Sequence, residues 1–231
     1  MNLGLFHKVF WVGFLRFFGS INNCWSENLN RSDDYLTVLF ESEISSASTK
    51  IEDLTTSKKE ELVNAILNRA QFVFSGMLYG YQFSYTPQDR RREVSESYSI
   101  ELIKEIPWGK KALSVVETFH TENQVYVRLR YRLSKSEVAH RESWESNSIP
   151  VSSAIGIGNR FLSEDGRRQS LESAMIVAIR NHLRDRISKP RLIKGEVFIW
   201  KNPITVVVAN EFHTTVTIKI IIDKIVPYLI Y

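Results

Sequence analysis

The sequence predicts an α+β fold, with two helices packed on antiparallel β-sheet and arranged as two related helix-plus-strands units. Three observations carry this. Two segments, about 57–74 and about 166–188, place apolar residues at helical spacing. Each is followed by runs that alternate with period two. The helix-then-strands order occurs twice, with matched residues at near-constant offset. The chain has 231 residues, of which 43% are hydrophobic and 24% charged, so it can bury a core and is neither disordered nor fibrous.

In chain order, residues 28–57 are mostly polar, and the apolar patch Tyr35 to Phe40 reads as a first strand. Ser57-Lys58-Lys59-Glu60 fits a capping box, in which the serine oxygen accepts an orphan N–H and the glutamate reaches back. Leu62, Ile66, Ala70 and Val73 form the stripe of the first helix, with Gly76 as its stop. Tyr79, Tyr81, Phe83 and Tyr85 then share one face of a strand. Tyr98, Ile100, Leu102 and Ile106 mark a half-buried second one. Residues 112–120 and 124–133 read as a hairpin turning on Thr121, Glu122 and Asn123. Its second arm points Val125, Val127, Leu129, Tyr131 and Leu133 inward and Arg128, Arg130 and Arg132 outward.

Residues 134–148 are polar and charged, which predicts a linker. An apolar segment, 149–157, leads into Gly156-Ile157-Gly158-Asn159. The second helix follows, with Leu171, Ala174, Met175, Ala178, Ile179, His182 and Leu183 as its stripe and Pro190 beyond its end. Strands are expected at 192–200, 204–209 and 212–222, with turns at Asn202-Pro203 and Asn210-Glu211. Leu62-Val63-Asn64-Ala65-Ile66-Leu67-Asn68 aligns with Met175-Ile176-Val177-Ala178-Ile179-Arg180-Asn181. Gly80, Phe83 and Tyr85 align with Gly195, Phe198 and Trp200. The division expected is a signal segment (1–23), a tether holding one candidate strand (24–56), a first α+β unit (57–133), a linker (134–148) and a second α+β unit (149–231).

The N-terminal segment bears on location. Its first 23 residues contain no acid and only His7, Lys8 and Arg16 as basic groups, and its apolar centre from Val9 to Leu15 is too short to span a bilayer. It reads as an export signal, although Arg16 interrupts it. Cys24, the single cysteine, stands after this segment and before the polar run 26–34, where bacterial lipoproteins carry their lipid. Ile21 fits a lipobox, Asn22 and Asn23 do not, and relaxed boxes of this kind resemble those of spirochaete lipoproteins. Cleavage before Cys24 would remove two cations and no acids, taking the net charge from +4 to +2.

Chemistry-bearing motifs are sparse. One cysteine excludes an internal disulfide framework. Gly156-x-Gly158 lacks the third glycine of a dinucleotide fingerprint and reads as a close-packing turn. His7, His120, His140, His182 and His213 have no metal-ligand spacing, and no G-x-S-x-G or H-E-x-x-H occurs. No catalytic residue, metal site or cofactor is expected. The row Arg128, Arg130 and Arg132 is the best candidate for binding an anion, since it spaces three guanidinium groups two residues apart. Arg90-Arg91-Arg92 and the run Arg180, Arg184, Arg186, Lys189 and Arg191 read as solvated charge.

Ala154-Ile155-Gly156-Ile157-Gly158-Asn159, the stretch Gly166-Arg167-Arg168-Gln169-Ser170-Leu171-Glu172-Ser173-Ala174, and Ala178 together form a strand ending in Gly-x-Gly, a loop and an alanine-faced helix. The second unit thereby resembles the bacterial envelope lipoproteins that include the small Helicobacter surface lipoprotein and the flagellar proteins FlgP and FlgT. Val115 to Phe119 with Val125 to Leu129 is similar to that family's closing hairpin. The resemblance implies a non-enzymatic, membrane-tethered lipoprotein facing the periplasm or cell surface. Its partners would be the membrane, other envelope or flagellar proteins, or a second copy of itself. The alternative expectation is a soluble module that binds anions or nucleic acid through the arginine row, nucleic acid being the weaker case at so small a net charge.

Overall fold

The computed structural model describes residues 34–43, 56–107, 112–121, 124–184 and 191–227. Cys24 and residues 1–23, the segment expected to be a signal, lie outside them. Nine strands are described: β1 (Tyr35–Glu43), β2 (Tyr81–Thr86), β3 (Ser97–Leu102), β4 (Leu113–His120), β5 (Gln124–Arg132), β6 (Val151–Asn159), β7 (Arg191–Ile199), β8 (Ile204–Val208) and β9 (Glu211–Pro227). With them stand three helices, α1 (Thr56–Leu78), α2 (Lys135–Ser143) and α3 (Ser163–Arg184). The class is α+β, as expected, with three helices where two were expected.

The strands form two antiparallel sheets, one ordered β1-β5-β4 and the other β3-β2-β7-β9-β6, with β8 also paired to β9. The spans expected as separate units therefore share the larger sheet, in which Tyr81 stands opposite Val197 and Phe83 opposite Gly195. The smaller sheet joins the first strand to the predicted hairpin, Tyr35 facing Arg132 and Glu43 facing Gln124.

Helix α1 contacts strands of both sheets, β1 in the smaller and β7 in the larger. Its predicted stripe is buried at Ile66, Ala70 and Val73, and from Phe72 to Leu78 it is buried all round, as a helix must be when two layers cover it. Phe74 meets Phe40 edge-on at 5.9 Å and Tyr131 at 6.1 Å, while Phe72 packs 5.0 Å from Tyr81. Gly76 does not end this helix. It sits within the helix because a Cβ there would lie 2.2 Å from the Tyr81 ring. The stop is Gly80 at φ +80°, whose N–H donates to Ser75 O at 3.2 Å. The Ser57 side chain of the expected capping box lies outside the described residues.

Residues 134–148, expected as a linker, carry α2. The capping box that the structure does show is here, at Ser134 and Glu137, and Trp144 just beyond the helix is buried against Phe198, with rings stacked at 5.0 Å. The buried Lys219 donates to Trp144 O and, at 3.1 Å, to Ser146 O, and its ammonium lies 4.1 Å from the Trp200 ring. A segment bound this firmly by carbonyl and ring contacts is part of the fold, despite its charged sequence.

Helix α3 lies along β6. Gly156 and Gly158 are not in a turn; both point inward from the strand, where a Cβ would stand 2.0 Å from Ala174 N and 1.9 Å from Gly166 O. The expected close packing is thus achieved strand against helix. Leu171, Ala174, Met175, Ala178, Ile179 and Leu183 are buried as the stripe predicts, and His182 is half-buried.

Candidate functional site

The outward arginines occupy the positions expected of them, on one face of β5. They do not form an open row. Arg128 Nη1 lies 2.8 Å from Glu117 Oε2 on β4, the cross-strand partner given by the register. The Arg130 guanidinium sits over Tyr35, 5.4 Å from the ring centre. Two of the three groups are thus already engaged within the sheet.

A second group of charges, not singled out in the sequence, converges where the free edge of β1 meets α1, α3 and β8. β1 is an edge strand, and side chains close it: Arg69 of α1 donates to Glu41 O, and Asn202 Nδ2 donates to Thr37 O at 3.0 Å. Arg69 Nη1 lies 3.0 Å from Glu164 Oε2, and Ser42 Oγ donates to Glu164 Oε1 at 3.1 Å. Arg167 of α3 has a side chain only 3% exposed. It pairs with Glu41 through Nη1, lies 3.8 Å from both Glu43 Oε1 and Glu164 Oε1, and stacks 4.2 Å from the Phe212 ring centre. Arg160 adds a two-oxygen contact to Glu43 at 3.0 and 3.1 Å.

Burial dominates the electrostatics. It raises the pKa of Glu41 above the ordinary carboxylate value, with Arg167 and Arg69 opposing, and it lowers that of Arg69, with Glu164 opposing. Removing Arg167 would take from Glu41 its paired guanidinium and leave Arg69 as the remaining cation beside it.

These groups wall a cavity of about 120 Å³. Val38, Phe40, Val73 and Leu171 supply apolar surface, Arg69, Arg167, Arg168, Glu41, Glu164 and Asp165 supply charge, and Thr205 and Thr214 supply hydroxyls. Arg168 is itself paired with Glu172 at 2.9 Å. The site offers buried donors and acceptors side by side, the means to hold a small polar molecule in a fixed orientation. Two sequence signals pointed to it. Arg69 stands one residue from the apolar stripe at Ala70, and Arg167 is a cation near a helix N-terminus, which the dipole disfavours unless tertiary partners hold it.

Among the described residues, no group of three or more His, Cys, Asp or Glu side chains is placed to hold a metal ion. No helix among them is long and apolar enough to cross a membrane.

A protein-family model matches residues 24–228. The chain belongs to that family. It is 26% identical over 161 residues to an uncharacterized protein of Treponema pallidum (strain Nichols), a match that covers 69% of this chain and 68% of the relative. No solved structure matches the chain.

Proposed function

We propose that this protein is a non-enzymatic lipoprotein of the bacterial cell envelope, anchored through lipid on Cys24, with a structural or assembly role among other envelope or flagellar proteins. The observation that carries the reading is the start of the family match at residue 24, the cysteine itself, after the whole segment read as a signal. The first strand then begins at Tyr35, which leaves the polar residues 24–34 between lipid and fold. Fully extended at roughly 3.3–3.6 Å per residue, that interval reaches about 36–40 Å. A relative in a spirochaete agrees with a lipobox of the relaxed spirochaete kind. The resemblance to the Helicobacter and flagellar lipoproteins is supported by the inward glycines of β6, by Ala174 packed on Gly156, and by the burial of Ala178 on the same helix.

The two-unit origin belongs to the same reading. The order strand, helix, strand, strand runs through β1-α1-β2-β3 and again through β6-α3-β7 and the β8-β9 hairpin, and β2 and β7 pair in the middle of the larger sheet.

Metabolic labelling with a palmitate analogue, followed by mass spectrometry of the mature N-terminus, tests the anchor. Label is expected on a chain that begins at Cys24 and is lost in Cys24→Ala. Unlabelled, soluble protein that retains residues 1–23 would overturn the proposal.

A further inference from the structure

We infer that the open face of the larger sheet, where β6 and β8 flank β9, docks on the same face of a second copy of this chain, sheet against sheet. The pattern of β6 carries this. Its residues toward α3 are small, Ser152, Ala154, Gly156 and Gly158, while Val151, Ile155 and Ile157 stand on the other side. The register sets Ile155, Thr215 and Ile204 in one row across the sheet, Ile157, His213 and Val206 in the next, and Val208 beside Glu211. Ile155, Ile157, Ile204, Val206 and Val208 are each between 47% and 57% exposed. An antiparallel sheet with one solvated face ordinarily carries polar residues there, and contiguous exposed apolar surface marks an interaction site.

Two apolar stripes thus run about 10 Å apart, with Glu211, His213 and Thr215 of β9 between them. An occupant must be flat, match that spacing and give the central carboxylate a partner. A second copy turned about an axis across the strands at the His213 row does all three. It lays β6 over β6 and β8 over β8 and reverses the middle column, which brings Glu211 to the Thr215 hydroxyl of the other copy. An axis along the strands would instead set Glu211 over Glu211. The reversed arrangement is isologous and closed, and two sheets stacked about 10 Å apart interdigitate their side chains. A lipid surface offers the carboxylate no such partner.

Toward Lys219 and Phe198 the same face is roofed by Trp144, so the open rows run from Glu211 to Thr217. They span about 20 Å along the strands and about 10 Å across them. That is less than the roughly 800 Å² per partner of a standard interface, so the dimer is a weak one.

The test is sedimentation velocity of the full chain from roughly 1 μM to 1 mM, under reducing conditions so that Cys24 cannot cross-link. A monomer–dimer equilibrium is expected. Ile157→Lys sets two ammonium groups opposite each other and is expected to weaken it at least about tenfold; should that variant fail to fold, Val206→Lys in the same row serves. Val63→Lys, at an equally exposed apolar position on α1, is expected to associate as the parent does. Thr215→Lys is expected to tighten the dimer through two new pairs with Glu211, a gain that Glu211→Gln removes. Cys24→Ala is expected to dimerise unchanged, so failure of the anchor and failure of this interface are separable. The inference is overturned if the chain stays monomeric throughout, including the case in which it binds phosphatidylcholine vesicles through Ile157 instead. It is equally overturned if Ile157→Lys and Val206→Lys associate as the parent does, which is the outcome when another surface does the pairing, or if Thr215→Lys loosens the dimer.

Discussion

Glu137 shows how much a single side chain can hold. Its carboxylate accepts from Ser134 N at 2.7 Å, Ser134 Oγ at 2.8 Å, Tyr79 Oη at 2.9 Å and Tyr131 Oη at 3.1 Å, so one acid ties α2 to the turn that follows α1 and to the smaller sheet. Burial works to raise its pKa, but the hydrogen bonds from Ser134, Tyr79 and Tyr131 outweigh it and hold the group below its ordinary value of 4.5. The Tyr79 phenol is pushed up to about 12 by burial and by this carboxylate, so it remains a donor across the physiological range. Glu137→Gln is expected to lose about 2–3 kcal/mol near neutral pH, read from the denaturant midpoint. Because the folded pKa is depressed, the native advantage is present above the unfolded value and fades as pH falls through the folded one. The gap between parent and variant should therefore close in acid; a gap that widens below pH 4.5 would contradict the assignment. Sequence held the clue, since Ser134-Lys135-Ser136-Glu137 is a capping box in plain view. The surrounding charge masked it, because an exposed acid and one buried under two phenols look alike in composition.

At the scale of elements, the contact of β6 with α3 depends on what is missing from three residues. Gly156, Gly158 and Gly166 let backbone meet backbone, and a methyl group at Gly158 has carbonyl and amide on either side, neither able to rotate away. Gly158→Ala is expected to cost about 3 kcal/mol, seen as a fall of roughly 6–12 °C in Tm. Ser153→Ala on the outward face of the same strand is expected to stay within about 0.5 kcal/mol of the parent. Equal effects at the two positions would show that helix packing is not what the glycines serve. Element types were legible here because period follows burial: the stripes of α1 and α3 and the alternation in β5 match the residues that are buried. Partners were not legible, because alternation tells a strand which face is covered and not which strand lies beside it. Likewise the charged residues of the cavity come from β1, α1 and α3, with the paired Glu41 and Arg167 126 residues apart, and no local window contains them.

For the whole molecule, the β2–β7 pairing means that neither half closes its own sheet. Residues 24–148 and 149–231, expressed separately, are expected to lack cooperative unfolding, and mixing them should restore it by completing the larger sheet; a fragment that melts sharply alone would argue for independent units. The smaller sheet adds a matter of timing. β1 pairs with β5, so its nearest partner, Gln124 for Glu43, lies 81 residues later and its farthest, Arg132 for Tyr35, 97 residues later. Contacts of such long range form slowly, since a large loop must close before they are rewarded. A chain threaded through a membrane N-terminus first would thus carry β1 across unpaired, and the strand adjoining the tether would lock only after the hairpin had followed it through.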